Sequence, residues 1–409
     1  MWINIAGIIL AFAAIILLIR LSKNFGIAMI CGAIIAALFS LDVLPPGEVG
    51  ATILNAVTSW KTIGLAIIVI LVNIIAYSMR ETGLADKLVE NIRMAFPNGG
   101  VLAIIPAIFG LMPIPGGARI SAPLIEKEGK KLGVSNDKMN YLNLWFRHPW
   151  PLIFPLTPSI ILAATLSNIS LNSLLLIQIP TFLAFVIIGY LMLRRFIKEK
   201  KNKRGYFDLK ETIIILSPIL LSLLIFFMLS AFFKTETYSS MCIALSLGLI
   251  LIFFISKIDH KDIPRILKGG FSLKLVLAIF GIMVFRNIVV ASKSLESLSP
   301  LLQNNSYHPL LMLSIIPLLL GAVIGNNLLA IGLNFVLVSS ILSSNICVPV
   351  VSVLYVASFV GYLISPLHLC TIVSGEYFKT GLIELYKYLI PSALSIILIN
   401  TLIMYLFML

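Results

Sequence analysis

Acidic residues are scarce: 17 Asp and Glu stand against 30 Lys and Arg in 409 residues. Charged residues of both signs reach only 11%, where a soluble domain carries roughly a quarter. The motifs of intramembrane enzymes are missing too. There is no HExxH, no Gly-x-Ser-x-Gly elbow and no pair of Asp within an apolar run, which argues against a protease or a lipid-phosphate transferase. The four cysteines, Cys31, Cys242, Cys347 and Cys370, are far apart in or beside apolar segments. That spacing fits no metal site and reads as small buried hydrophobes. The opening apolar run, 2–19, lacks a basic flank and a small-residue cleavage site, so it is expected to stay as a first span.

What is present is oil. Hydrophobic residues make up 59% and the mean hydropathy is +1.06. Apolar runs near helix-crossing length recur along the whole chain, without the alternation of a transmembrane barrel. The fold class is therefore an all-α polytopic membrane protein. Spans are expected near 2–20, 25–42, 61–80, 139–165, 173–194, 212–233, 239–256, 272–292, 348–373 and 387–408, about ten transmembrane helices. Two further segments, 99–125 and 309–342, carry Gly and Pro near their middles and read as re-entrant hairpins.

The net charge of +13 is placed for a membrane rather than for nucleic acid. Its densest stretch, 194–210, lies between two apolar spans, and basic loops stay cytoplasmic. Threading the chain from that anchor puts both termini outside the cell membrane and leaves only Lys61, Lys234 and Lys293 near the outer face.

The halves align without gaps at an offset of 211 residues. Ile104-Ile105-Pro106 with Gly110 matches Ile315-Ile316-Pro317 with Gly321, Pro155 matches Pro366, and Pro180 matches Pro391. Five crossings per half make the second copy inverted. The expected organisation is a first repeat (1–200, broken helix 139–165), a basic linker (201–211) and a second repeat (212–409, broken helix 348–373).

Candidate site residues cluster at the breaks. The first tip, Pro113-Ile114-Pro115-Gly116-Gly117-Ala118-Arg119-Ile120-Ser121, stops one helix and restarts another near Ala118. The restarted helix offers free N–H groups and a positive dipole end beside Arg119, which suits a carboxylate. Asn143-Leu144-Trp145-Phe146-Arg147-His148-Pro149-Trp150-Pro151 cannot form a continuous helix. It leaves Arg147 to meet an anion, freed carbonyls or water, and His148 to shuttle protons or serve as a structural donor. In the second half, Gly325-Asn326-Asn327 offers amides to a cation such as Na⁺ or to a carboxylate. Ser365, His368 and Thr371 are the polar members of the second broken span. Arg119, Arg147 and Arg286 fall in the expected interior and no Asp or Glu does, so an anionic solute is the expected cargo.

Three stretches carry a resemblance: Pro113–Ala118, Trp145–Trp150 and Ser365-Pro366-Leu367-His368-Leu369-Cys370. They resemble an uncharacterised family of prokaryotic polytopic membrane proteins, grouped with the ion transporter superfamily of gluconate, citrate and C4-dicarboxylate carriers. The resemblance implies two inverted repeats whose hairpins and broken helices meet at a midplane site. It also implies carboxylate transport coupled to Na⁺ or H⁺, and it allows a homodimer. The tips lack the Ser-Asn-Thr signatures of dicarboxylate carriers. The expected function is a secondary transporter of a small organic anion, not an enzyme, with the bilayer as its other partner and no cofactor beyond a coupling ion. The expected site is Pro115, Gly116, Gly117, Arg119, Ser121, Arg147, His148, Asn326, Asn327, Ser365 and His368. A cation/proton antiporter using His148 and His368 is the second reading.

Overall fold

The computed structural model describes residues 2–22, 24–95, 99–111, 117–197, 207–233, 236–293, 309–341 and 347–408. Among the described residues the regular structure is helical. The helices are α1 (Trp2–Ser22), α2 (Phe25–Leu38), α3 (Pro46–Thr58), α4 (Trp60–Glu81), α5 (Leu84–Ala95), α6 (Val101–Leu111) and α7 (Gly117–Lys131). They continue with α8 (Asn136–Trp145), α9 (Trp150–Ile153), α10 (Pro158–Ser167), α11 (Leu171–Phe196), α12 (Leu209–Phe232), α13 (Thr237–Ser256), α14 (Ile263–Gly270) and α15 (Leu273–Ala291). The chain closes with α16 (Pro309–Ile324), α17 (Asn327–Ile341), α18 (Val348–Ile364), α19 (Leu369–Phe378) and α20 (Leu382–Leu406).

Among the described residues eight segments are long and apolar enough to cross a membrane: α4, α8 through α10, α11, α12, α13, α15, α18 through α19, and α20. They coincide with eight of the ten expected spans. The first two expected spans form helices whose described apolar runs are shorter, Ile3–Ile19 and Phe25–Leu38. At 1.5 Å per residue, a helix of α2's length reaches about 21 Å, less than a typical hydrocarbon core. The outer surface of the long helices is apolar. Leu183, Ile187 and Leu191 on α11, and Leu394, Leu398 and Leu402 on α20, are exposed. That surface is stable against lipid rather than water. The short helices α3, α5 and α14 were not foreseen, because each mixes charge with apolar residues and falls below crossing length.

Sequence sets the ends of many helices. Asn24, Ser59 and Asp208 cap α2, α4 and α12, accepting hydrogen bonds from the backbone N–H of Ile27, Thr62 and Glu211. α10 starts on Pro158, where a missing N–H costs nothing.

Both segments read as hairpins are pairs of short helices packed on each other, α6 on α7 and α16 on α17. The first tip, residues 112–116, lies outside the described residues, and with it the candidates Pro115 and Gly116. The second tip turns at Gly325, whose φ of +66° is open to glycine but strained for other residues. Both broken spans are interrupted, α8 to α10 at 146–149 and 154–157, and α18 to α19 at 365–368.

Several positions 211 apart share local features. Asn168 and Lys379, at matching positions, end α10 and α19 in the left-handed conformation. Gly110 of α6 lies against the carbonyl of Arg147, and Gly321 of α16 against that of Ser358, again matching positions. Contacts between halves pair off likewise: α7 with α19 as α10 with α17, and α8 with α20 as α11 with α18.

Candidate functional site

The two broken spans bring their polar residues together in a dry centre. Phe146 caps α8, and the prolines at 149 and 151 prevent the helix from continuing. The break turns Arg147 and His148 inward, each only 5% exposed. A methyl group on Gly117, the first residue of α7, would overlap the Arg147 guanidinium. Arg147 thus lies against a helix N-terminus, and the absence of a side chain at 117 permits that approach. From the other half, the break at Ser365–His368 delivers His368, 1% exposed, to the same place.

Hydrogen bonds fix the rings. His148 Nδ1 donates to the Leu144 carbonyl at 2.6 Å, which leaves the Nε2 lone pair facing the Tyr362 hydroxyl at 3.3 Å. His368 Nδ1 lies 3.4 Å from the Leu363 carbonyl and 3.3 Å from Thr371 Oγ1. Its Nε2 is buried with no hydrogen-bond partner among the described residues. The two imidazole centroids are 4.8 Å apart, and Tyr362 lies 4.2 Å from His368. The ring nitrogens of His148 and His368 and Cys370 Sγ are the donors here that could hold a metal ion, all within 4.8 Å of one another.

The other candidates have local roles. Ser121 Oγ donates to Asn143 Oδ1 at 2.6 Å, and Asn143 Nδ2 bonds the Ala118 carbonyl and Ser374 Oγ. This network ties the first hairpin to both broken spans. Ser365 Oγ donates to the Ala322 carbonyl at 2.5 Å, closing the second hairpin onto its break. Asn327 Nδ2 donates to Ser159 Oγ at 2.8 Å, across the halves, and its Oδ1 is buried without a partner among the described residues.

Two candidates stand apart. Arg119 is exposed rather than interior, because its position on α7 turns it away from the face that carries Ala118, Ser121 and Ala122. Asn326 is exposed as well and spends its Oδ1 on the Leu329 N–H, an N-cap for α17. Arg286 bonds its neighbour Asn287 and the Leu166 carbonyl, each at 3.4 Å. A cavity of about 330 Å³ opens elsewhere, beside Lys61, Asn168, Glu236 and Tyr238, and no candidate residue lines it.

Residues 5–408 match the family described as Protein of unknown function (DUF401). The chain belongs to the DUF401 family. The fold is similar to a solved one: the chain aligns with the crystal structure of the Alcanivorax borkumensis YdaH transporter at a TM-score of 0.65, covering 90% of each chain at 12% identity. That structure is described as revealing an unusual topology. At such identity the likeness is one of fold. No curated protein matches the DUF401 chain.

Sequence reasoning missed Tyr362, Cys370, Asn143 and Ser374 as members of the central cluster. Asn143 and Cys370 lie inside motifs already singled out, so proximity to a break was their available signal. Tyr362 and Ser374 had none beyond their place on the broken span.

Proposed function

We propose that this protein is a secondary active transporter of a small organic anion of the carboxylate class, working by alternating access and coupled to H⁺ or Na⁺. One observation carries the reading: the Arg147 guanidinium is buried at a helix break, against the N-terminus of α7. The Arg147 guanidinium lies beside Gly117, the first residue of α7, and a carboxylate suits both a guanidinium and the positive end of a helix. A buried cation is costly in apolar surroundings, so a site of this kind favours a negative visitor.

The pairing of contacts across the halves supports two inverted repeats moving against each other around that point. Asn327 Oδ1, buried and without a partner among the described residues, suits Na⁺ better than Asn326, whose oxygen caps α17. The positive-inside rule keeps the 194–210 segment cytoplasmic and both termini outside the cell membrane. A second reading, a cation/proton antiporter using His148 and His368, draws on the contact between those rings. It is weakened by Arg147 beside them, a fixed positive charge where a cation would have to sit.

The test is ligand-dependent stabilisation of the purified full chain. Mono-, di- and tricarboxylates are screened by thermal shift, with and without Na⁺. A carboxylate that binds raises the melting temperature by mass action, and Arg147→Ala abolishes the shift. A shift of equal size in Arg147→Ala contradicts the reading.

A further inference from the structure

We propose that His148, His368 and Cys370 form a binding site for a borderline or soft transition-metal ion of the zinc(II) class. The three donors come from both halves of the chain, and their potential ligand atoms all lie within 4.8 Å of one another. Around one tetrahedral ion, nitrogen and sulfur ligands sit about 3.3–3.6 Å apart, given bonds of roughly 2.0–2.3 Å. A contraction of about 1 Å or somewhat more therefore closes the set, within the reach of side-chain rotation.

Two features beyond proximity point to a ligand. The first is the hydrogen bonding of the rings. A metal-bound histidine characteristically donates its other ring N–H to a carbonyl, which fixes the tautomer and aims the free lone pair. His148 does this through Nδ1 to Leu144 at 2.6 Å, with the Tyr362 hydroxyl at 3.3 Å from its Nε2 the group a metal ion displaces, and His368 Nδ1 faces the Leu363 carbonyl at 3.4 Å. The second is the orphaned Nε2 of His368. It is a buried ring nitrogen on a side chain 1% exposed, with no partner among the described residues. An unmet polar atom in a dry centre costs about 1–3 kcal/mol, and a metal ion at that point removes the cost.

Charge selects the chemistry further. Arg147 adjoins His148, so a bare divalent ion held by two neutral imidazoles would meet a fixed positive neighbour. Cys370 offsets this on binding: its Sγ–H proton passes to solvent as the Sγ–metal bond forms, and the thiolate supplies one negative charge. Two imidazoles and a thiolate suit Zn²⁺ or Cu⁺, and they disfavour Mg²⁺ and Ca²⁺, which take oxygen. Three protein ligands leave a fourth position open. The sequence hid this trio, because His148 and Cys370 lie in different halves and no short motif joins them.

The proposal goes beyond the anion reading and is tested without any transport assay. Purified full-length protein is titrated with Co²⁺ and then with Zn²⁺. One equivalent of Co²⁺ binds and produces a thiolate-to-cobalt charge-transfer band in the near ultraviolet, which Zn²⁺ bleaches. A chain with Cys31, Cys242 and Cys347 all changed to Ser keeps the band. Cys370→Ser loses it, and His368→Gln weakens Co²⁺ binding at least about tenfold. Should Cys370→Ser fail to fold, maleimide labelling of the triple-serine chain gives the answer, since bound Zn²⁺ slows modification of Cys370. A band that survives Cys370→Ser, labelling that Zn²⁺ leaves unchanged, or the absence of saturable binding overturns the proposal.

Discussion

The imidazoles of His148 and His368 meet edge to face, with centroids 4.8 Å apart and planes inclined at 78°. Each ring comes from the interruption of a different broken span, so this contact is where the halves of the chain meet in the apolar centre. Rings in such contact do not respond independently.

A double-mutant cycle exposes the coupling. The stability losses of His148→Ala and His368→Ala, measured by denaturation in detergent, fall short of or exceed their sum in the double variant by about 0.5–3 kcal/mol. Additivity within a few tenths would mean that the rings do not touch.

The matched glycines give a second prediction. A Cβ at Gly110 collides with the backbone of Arg147, and one at Gly321 with the backbone of Ser358 and Tyr362. Backbone does not move aside cheaply, so Gly110→Ala and Gly321→Ala each destabilise by about 1–3 kcal/mol. Gly47, on α3, has nothing within 4 Å of such a Cβ, and Gly47→Ala leaves the melting temperature unchanged or raised.

Much of this architecture was legible in the sequence, for definite reasons. Breaks at Pro149, Pro151 and Pro366 and a tip at Gly325 are local events, since Pro removes a donor and Gly alone turns freely. The left-handed end at Lys379 was not legible, because Lys, unlike Asn168 at the matching position, has no preference for that conformation. Site membership was only partly readable. Helix periodicity does not say which face looks inward once a helix is broken, so Arg119 was expected inside and lies exposed. Asn326 and Asn327 look equivalent in the sequence. One caps α17, and the other reaches Ser159 in the opposite half. Cys370 looked like a core filler because His148, which it approaches in space, is remote in the chain.

Glu126 gives a pH dependence. Lys130, four residues on, and the Tyr377 hydroxyl at 2.6 Å both bond its carboxylate and hold its pKa below the ordinary value of 4.5. The bond to Tyr377 ties the end of α7 to α19. A depressed carboxylate contributes stability in full above its unfolded pKa, and that contribution fades as pH falls through the lower folded value. The melting temperature of the parent chain therefore exceeds that of Glu126→Gln by a constant margin above about pH 5, and the margin shrinks on further acidification. A margin independent of pH down to strong acid would contradict the assignment.

Uptake into proteoliposomes tests the central claim most directly. Purified protein is reconstituted, and entry of a radiolabelled carboxylate identified by thermal shift is followed under imposed H⁺ and Na⁺ gradients. The account predicts uptake that depends on one of these gradients and falls at least about tenfold in Arg147→Ala, the loss expected when a charge-assisted hydrogen bond to the solute is removed. Gradient-independent flux, or undiminished uptake by Arg147→Ala, would contradict it.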